Sequence, residues 1–204
     1  MFNRERYIRL GYMIKANKIY TFIPVFVMLL LLWGNFFYPV NRITTIQIMQ
    51  MAVPYISLFW LLPIKEERLT VGWGEVLCTV EGSGNLLLAY IGRNMIYMLM
   101  FAGLCYCHAK RLGSLHIVFV EVAFQVIMIQ GVGFLFLYLS NSMFTALLVP
   151  FLFLCVSLML LGQSEGFFIK GYICGYEVAL GDFFGQQWFY LAVGMVCNGF
   201  LFKK

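Results

Sequence analysis

Long apolar runs, separated by short polar breaks, make up most of this chain. Six of them predict helices, at residues 19–38, 46–64, 86–107, 115–139, 143–161 and 188–202. A transmembrane helix needs about 20 predominantly apolar residues, and most of these runs have that length. The period-two alternation of membrane β-strands is not visible. The pattern therefore predicts an all-helical polytopic membrane protein with six transmembrane helices.

The first 18 residues differ from the rest because basic and apolar side chains are interleaved. Arg4, Arg6 and Arg9 alternate with Tyr and Leu, and Lys15 and Lys18 follow. Such a pattern favours an amphipathic helix that lies on the cytoplasmic membrane surface. A disordered basic tail is the alternative.

The composition agrees with a chain that lies in a membrane. Of its 204 residues, 62% are hydrophobic and 11% are charged, whereas a soluble domain carries about 25% charged residues. The six cysteines are scattered, mostly inside apolar runs, and suggest no disulfide framework. The net charge of +5 reports membrane topology rather than nucleic-acid binding. A single transmembrane domain, residues 1–204, is expected.

The basic residues predict which side each loop faces. With the amino terminus inside, ten of the 14 Lys and Arg residues lie on the inner side. The four on the outer side are Arg42, Lys110, Arg111 and Lys170. Because cytoplasmic loops carry the excess of basic residues, both termini are predicted to be cytoplasmic. Lys110 and Arg111 are the exceptions that this topology leaves unexplained.

Residues 162–187 are too polar to span a bilayer and too hydrophobic for an ordinary loop. Glu165, Lys170, Glu177 and Asp182 separate short apolar patches. We expect an outer re-entrant or interfacial segment here. Its glycines, spaced four apart, would serve either close helix approach or turns.

Residues 65–85 carry the densest charge in the chain. Four charges (Lys65, Glu66, Glu67 and Arg68) precede a Gly-Trp-Gly turn and one further carboxylate, Glu75. The topology places this stretch inside the cell. It is long enough for a short helix on the membrane surface, with Trp73 at the headgroup level. An ordinary solvated loop is the alternative.

This stretch, "KEERLTVGWGEVL", resembles the charged loop between spans two and three of ABC type-2 exporter permeases. The matching residues are Glu66, Glu67, Arg68, Gly72, Glu75 and Leu77, with Arg93 downstream in the third span. Extra residues displace Gly72, and Trp73 stands where the family usually has Thr. Residues 131–160 resemble the family's connection between the fourth and fifth spans. Residues 162–187 lie where the family has short outer re-entrant helices.

The resemblance implies that residues 65–85 form a coupling helix that docks on a separate nucleotide-binding subunit. Glu66, Glu67, Arg68 and Glu75 would pair with the ATPase surface, and Trp73 would anchor the helix. This chain has no phosphate-binding Gly-x-x-x-x-Gly-Lys-Ser/Thr loop. ATP and Mg would therefore be bound by the partner ATPase, and no cofactor by this chain.

The same resemblance implies the remaining assignments. The chain would be a transporter subunit rather than an enzyme, in a bacterial cell membrane, paired with a second permease subunit that is identical or homologous. Its cargo would be hydrophobic or amphipathic, such as an antimicrobial peptide, a lantibiotic or a drug. The lipid bilayer is a partner, and nucleic acid is not.

Glu121 is the one carboxylate well inside a predicted span. Charged side chains at such depth are costly and usually face the bundle interior, a cavity or a partner. Gln125 lies one turn away on the same helix face, so the two would line a pathway or pair between subunits. The alternative is a carboxylate near the outer end of the span that reaches the headgroups.

Three other interpretations are weaker. Cys105 and His108 share a helix face, but Cys107 points elsewhere, which disfavours a metal site. The substrate-binding subunit of a vitamin importer would use small residues spaced along its first span, and residues 19–33 lack them. An intramembrane hydrolase needs carboxylate and histidine pairs within spans, whereas His108 and His116 flank a predicted turn.

Overall fold

Six helices make up the described part of the chain. A computed structural model describes residues 18–37, 41–69, 83–159 and 180–199, with side chains for 22–34, 41–60, 90–159 and 188–199. The helices are α1 Lys18–Phe37, α2 Arg42–Leu69, α3 Ser83–Leu112, α4 His116–Ser140, α5 Met143–Met159 and α6 Leu180–Asn198. No strand occurs in these ranges. The all-helical prediction is confirmed for them.

Three helices extend beyond their predicted bounds. Helix α2 begins at Arg42, inside the predicted outer loop, and continues through the charged residues to Leu69. Helix α3 includes residues 108–112, which were predicted to be part of a turn. Helix α6 begins at Leu180, so residues 180–187 continue the last helix rather than the outer segment. Apolar runs indicate burial or lipid contact and do not mark the ends of a helix. The helix continues through charged residues for as long as its backbone hydrogen bonds continue.

The two reversals beside α4 are tight because each uses a left-handed residue. Gly113 has φ of 82° and follows α3. Asn141 has φ of 48° and follows α4, and its N–H donates to the Leu137 carbonyl. Gly and Asn are the residue types that adopt this conformation most readily. These two positions turn the chain back on itself at opposite ends of α4.

Helix α4 lies at the centre of the bundle. It packs most extensively against α6, and also against α2 and α5. Its first half joins a core that contains Met49, Tyr97 and Phe101. Its second half joins another core, which contains Leu58 and Leu154. Helices α2, α5 and α6 therefore meet largely through α4, whereas α1 packs against α2 and α3.

Helices α2, α4 and α6 run in the same direction. Along α4 and α6, the ring of Phe124 lies near Trp188, with centroids 5.9 Å apart, and further on Asn198 donates to the Ile127 carbonyl. Along α2 and α4, Gln50 meets Glu121, and Leu58 meets Gly133. In both pairs, higher numbers on one helix meet higher numbers on the other.

Helices α3 and α5 run the opposite way. Along α2 and α3, Val53 meets Tyr97, and Trp60 meets Arg93. Helix α5 follows α4 after the two-residue turn at 141–142 and returns along it. The helices therefore alternate in direction from α2 through α6, as a chain that crosses a layer repeatedly must.

One described helix, α4, is both long and apolar enough to cross a bilayer by those criteria alone, and just over half of it is buried inside the bundle. Three apolar helical stretches within the described residues are shorter: Phe22–Gly34, Met143–Met159 and Trp188–Asn198.

The described helices expose many large apolar side chains, and their mainly apolar interior also contains several buried polar ones. Large apolar side chains face outward, among them Phe22 at 64% exposure, Leu99 at 68% and Met195 at 64%. Several polar side chains are almost completely buried: Gln50, Ser57, His108, Glu121, Gln125, Gln130 and Ser157. Large contiguous apolar surface is rare on soluble monomers and marks contact with a partner or a membrane.

Candidate functional site

The described part of the charged stretch forms the end of α2. Glu66, Glu67 and Arg68 belong to the last turns of α2, which ends at Leu69. Gly72, Trp73 and Glu75 lie outside the described residues, and α3 begins at Ser83. The part of the proposed coupling segment that the structure describes is thus a direct continuation of α2.

A reciprocal pair of hydrogen bonds holds α2 and α3 together close to this stretch. The Trp60 indole Nε1–H donates to the Arg93 carbonyl oxygen at 3.2 Å, and Arg93 Nη1 donates to the Trp60 carbonyl oxygen at 3.0 Å. Both side chains are partly buried. Because each residue supplies one side-chain donor and one carbonyl acceptor, the pair fixes the separation and the register of the two helices.

Glu121 is directed into the bundle. It is fully buried, and its Oε2 accepts a hydrogen bond from Gln50 Nε2 on α2 at 3.3 Å. Gln125, one turn further along α4, is also fully buried, as is Gln50. This placement does not fit a side chain that reaches the headgroups at the rim. It brings together two residues predicted to share a face and adds Gln50 from another helix.

A proline shapes α2 next to this polar group. Pro54 has no N–H and cannot complete the regular helical bonding of its turn. The Tyr97 hydroxyl donates to the Val53 carbonyl, and Ser57 Oγ donates to the Pro54 carbonyl at 2.6 Å. In membrane helices, neighbouring side chains commonly satisfy backbone groups around a proline. Tyr97 therefore ties α3 to the same level of α2 at which Gln50 meets α4.

A second polar cluster joins α3, α4 and α6. The Tyr90 hydroxyl lies 3.0 Å from both Gln130 Oε1 and Asn198 Oδ1, and its single proton is donated to one of these two acceptors at a time. Gln130 Nε2 donates to Asn94 Oδ1 at 2.9 Å. Asn198 Nδ2 donates to the Ile127 carbonyl at 2.9 Å. Four side chains from three helices thus satisfy one another in the interior.

The backbones of α4 and α6 touch beside this cluster. A Cβ added to Gly131 would lie 2.6 Å from the Gly194 carbonyl oxygen, and one added to Gly194 would lie 2.7 Å from the Met128 nitrogen. Both distances are far below van der Waals contact. Small residues allow such close approach between membrane helices. Only glycine at these two positions lets Asn198 reach the Ile127 carbonyl.

The cysteine and histidine residues near the end of α3 do not converge. Cys105 and His108 are buried, Cys107 is exposed, and the His108 Nδ1–H donates to the Leu104 carbonyl at 2.9 Å. Among the side chains described here, no group of three or more His, Cys, Asp or Glu residues could hold a metal ion.

Sequence reasoning missed several of these interior residues. Gln50, Gln130, Arg93 and Asn94 were visible as polar residues inside apolar runs, but nothing in the sequence paired them. Asn198 carried the same signal within the last run. Searching every apolar run for amide and charged side chains would have found the whole set, although not its pairing.

Comparison of the chain with protein-family models, with curated proteins and with solved structures found no match.

Proposed function

We propose that this chain is the membrane-spanning permease subunit of an ATP-driven exporter in a bacterial cell membrane. It crosses the bilayer six times with both termini in the cytoplasm and works with a second permease subunit. Residues 65–85 dock on a separate nucleotide-binding subunit, which binds ATP and Mg. The cargo is hydrophobic or amphipathic, such as an antimicrobial peptide, a lantibiotic or a drug.

The observation that carries the exporter proposal is the connection of the charged stretch to α2 and α3. Helix α2 continues without a break through Lys65–Arg68, and Trp60 and Arg93 lock it to α3. A partner that moves residues 65–85 would therefore move α2 and α3 together. Helix α2 in turn reaches α4 through Gln50 and Glu121. This is the connection that a coupling segment needs.

The exposed apolar surface of the helices supports six spans. Exposed apolar side chains occur on every described helix, for example Phe26 on α1, Ile48 on α2, Phe144 on α5 and Val196 on α6. Lipid tails are the solvent that suits such a surface, and buried amides then stabilise the helix contacts. The alternating direction of α2 to α6 suits a chain that passes back and forth.

Glu121, Gln50 and Gln125 supply a polar position for the transport path. A charged or amide side chain inside a membrane bundle usually marks a substrate route, an ion route or a partner contact. Gln50 and Glu121 meet between α2 and α4, and α2 continues into the charged stretch. Movement of α2 would therefore alter this polar site directly.

The test is charge reversal in the coupling segment. We expect Glu66→Lys, Glu67→Lys and Glu75→Lys, combined, to abolish association with the partner ATPase or to remove substrate-stimulated ATP hydrolysis. The reason is that acidic side chains meeting a complementary surface would be replaced by repelling ones. The measurement is co-purification of the full chain with its ATPase, followed by ATPase activity in proteoliposomes.

Asp182→Lys is the matched control, because it reverses an acidic residue of α6 that the topology places on the outer side. It should leave association and coupled hydrolysis unchanged. Unchanged coupling in the triple variant, with the protein folded and present in membranes, would exclude the docking role of residues 65–85.

A further inference from the structure

An open groove of about 300 Å³ lies between the end of α3 and the start of α4. Its walls are mainly apolar and aromatic, and Ser114 and His116 add polar groups. The lining residues are Ala102, Cys105, Tyr106, Ala109, Ser114, Leu115, His116 and Phe119. Tyr106 is 70% exposed, so the groove opens at the surface of the bundle.

Basic side chains surround the polar end of this groove. The Lys110 ammonium lies 5.7 Å from the centre of the Tyr106 ring, a cation–π distance. From α2, Arg42 Nη2 donates to the Ser114 carbonyl at 3.3 Å. Arg111 is exposed on the last turn of α3, next to Lys110. Arg42 and Lys110, from two helices, thus contact residues that line the groove, and Arg111 follows Lys110 in the same turn.

The N-terminus of α4 adds a partial positive charge close to these side chains. Helix α4 begins at His116, and no side chain caps its first turn. The first N–H groups of a helix carry a partial positive charge. Ser114 Oγ contacts His116 Nδ1 at the same place. Nothing acidic lies among the residues that line the groove.

We propose that this groove binds an anionic phospholipid, with its phosphate among Arg42, Lys110 and Arg111 and an acyl chain along the apolar walls. A Lys or Arg close to a membrane surface attracts anionic headgroups, by about 1 kcal/mol for each side chain. The site also explains why Lys110 and Arg111 lie on the outer side, where the predicted topology places few basic residues. Lipid anchoring, not loop orientation, accounts for that pair.

The alternative role for Lys110 and Arg111 is local. Basic residues in the last turn stabilise a helix by a few tenths of a kcal/mol up to about 1 kcal/mol, because the C-terminal end of a helix carries a partial negative charge. That role needs neither Arg42 nor the apolar groove. It also predicts no preference between acidic and neutral lipids, so a binding measurement separates the two roles.

The test is native mass spectrometry of the full chain, purified in detergent and titrated with one lipid at a time. The probes are phosphatidylglycerol, phosphatidylcholine with the same acyl chains, and inorganic phosphate. We expect one phosphatidylglycerol to be retained in preference to phosphatidylcholine. Lys110→Gln with Arg111→Gln should weaken phosphatidylglycerol binding by roughly fivefold for each cation removed.

Two further variants separate the parts of the site. Ala102→Phe fills the groove and should weaken both lipids equally. Lys18→Gln removes a cation at the other end of the bundle and should change neither. The melting temperature of each variant without added lipid shows that it is folded, and Lys110→Gln alone serves if the double variant is not.

Three results would overturn the lipid site: equal retention of the two lipids, an undiminished preference in the double variant, or displacement of phosphatidylglycerol by millimolar inorganic phosphate. The inference rests on the membrane location within the proposed function, but not on ATPase coupling. A lost lipid preference with intact coupling would overturn only the lipid site. Intact preference without an associated ATPase would overturn only the exporter.

Discussion

At the residue scale, a few buried polar side chains determine where the helices meet. Gln50 and Glu121 join α2 to α4, and Gln130 and Asn198 link α3, α4 and α6 through Tyr90. Hydrogen bonds between membrane helices contribute about 0.6 kcal/mol on average, with larger values in some contexts. Their main effect is on the register of the helices. An amide that is hydrogen-bonded in one register would lose its partner if a helix shifted by one turn.

Glu121 provides a prediction at this scale. Replacing it by Ala removes the acceptor of the Gln50 amide and leaves a cavity, so stability should fall by about 1–3 kcal/mol. Glu121→Gln keeps the size and an oxygen acceptor and should melt close to the wild-type temperature. Thermal unfolding in detergent, followed by size-exclusion fluorescence, measures both.

The same pair separates a structural role from a transport role. If the carboxylate itself serves the transport path, Glu121→Gln will lose substrate-stimulated ATP hydrolysis while remaining folded. Equal melting temperatures for wild type, Ala and Gln would contradict the buried hydrogen bond between α2 and α4.

At the scale of the helices, the contact between α4 and α6 depends on two glycines. Gly194→Ala would place a methyl group 2.7 Å from the Met128 nitrogen, which is backbone and cannot rotate away. The helices must separate to admit it, and overpacking of this kind costs about 1–3 kcal/mol. We therefore expect a lower melting temperature and weaker protection of α6 from proteolysis.

Gly103→Ala is the matched control for that variant. It also changes a helical glycine to alanine, but a Cβ there would have nothing within 4 Å. Because alanine favours helix over glycine, its melting temperature should stay the same or rise. A similar loss in both variants would indicate a general effect of glycine replacement and contradict the close contact.

The helices themselves could be predicted from sequence far better than their partners. The apolar runs predicted all six described helices in order. Helix ends were predicted less accurately, because the second span was expected to end at residue 64 whereas α2 continues to Leu69. Pairing could not be predicted, since Trp60 and Arg93, or Gly131 and Gly194, have no local signal that refers to one another.

The charged segment was predictable in position but not in form. Its location between two helices follows directly from the interruption of the apolar runs. Its form could not be predicted, because it depends on the continuation of α2 and on contacts across the bundle. These contacts are the hydrogen bonds between Trp60 and Arg93. Glu121 and Gln125 were correctly placed on one face, whereas their neighbour Gln50 comes from 71 residues earlier.

At the scale of the whole molecule, α4 sets the orientation of everything around it. Its 25 residues extend for about 38 Å, more than the roughly 30 Å hydrocarbon core of a bilayer. The turn before it contains Ser114, and Ser140 ends it. In the proposed topology these two positions lie on opposite sides of the membrane.

Labelling at these two positions tests the topology. In intact cells, a membrane-impermeant maleimide should label Ser114→Cys and should label Ser140→Cys only in inverted vesicles. The wild-type chain, with its own cysteines, gives the baseline. Labelling of both positions from the same side would mean that α4 does not cross the membrane.

The central position of α4 has a consequence for how the chain is made. The Ile127 carbonyl accepts a hydrogen bond from Asn198, which comes 71 residues later in the chain. At about 5–20 residues per second, a ribosome needs roughly 4–14 seconds to deliver it. During that interval Gln130 already has Tyr90 and Asn94 of α3 as partners, whereas Gly131 still lacks its neighbour Gly194. If the chain inserts into a membrane as proposed, insertion chaperones and membrane proteases would meet this uncovered surface of α4 until α6 packs against it.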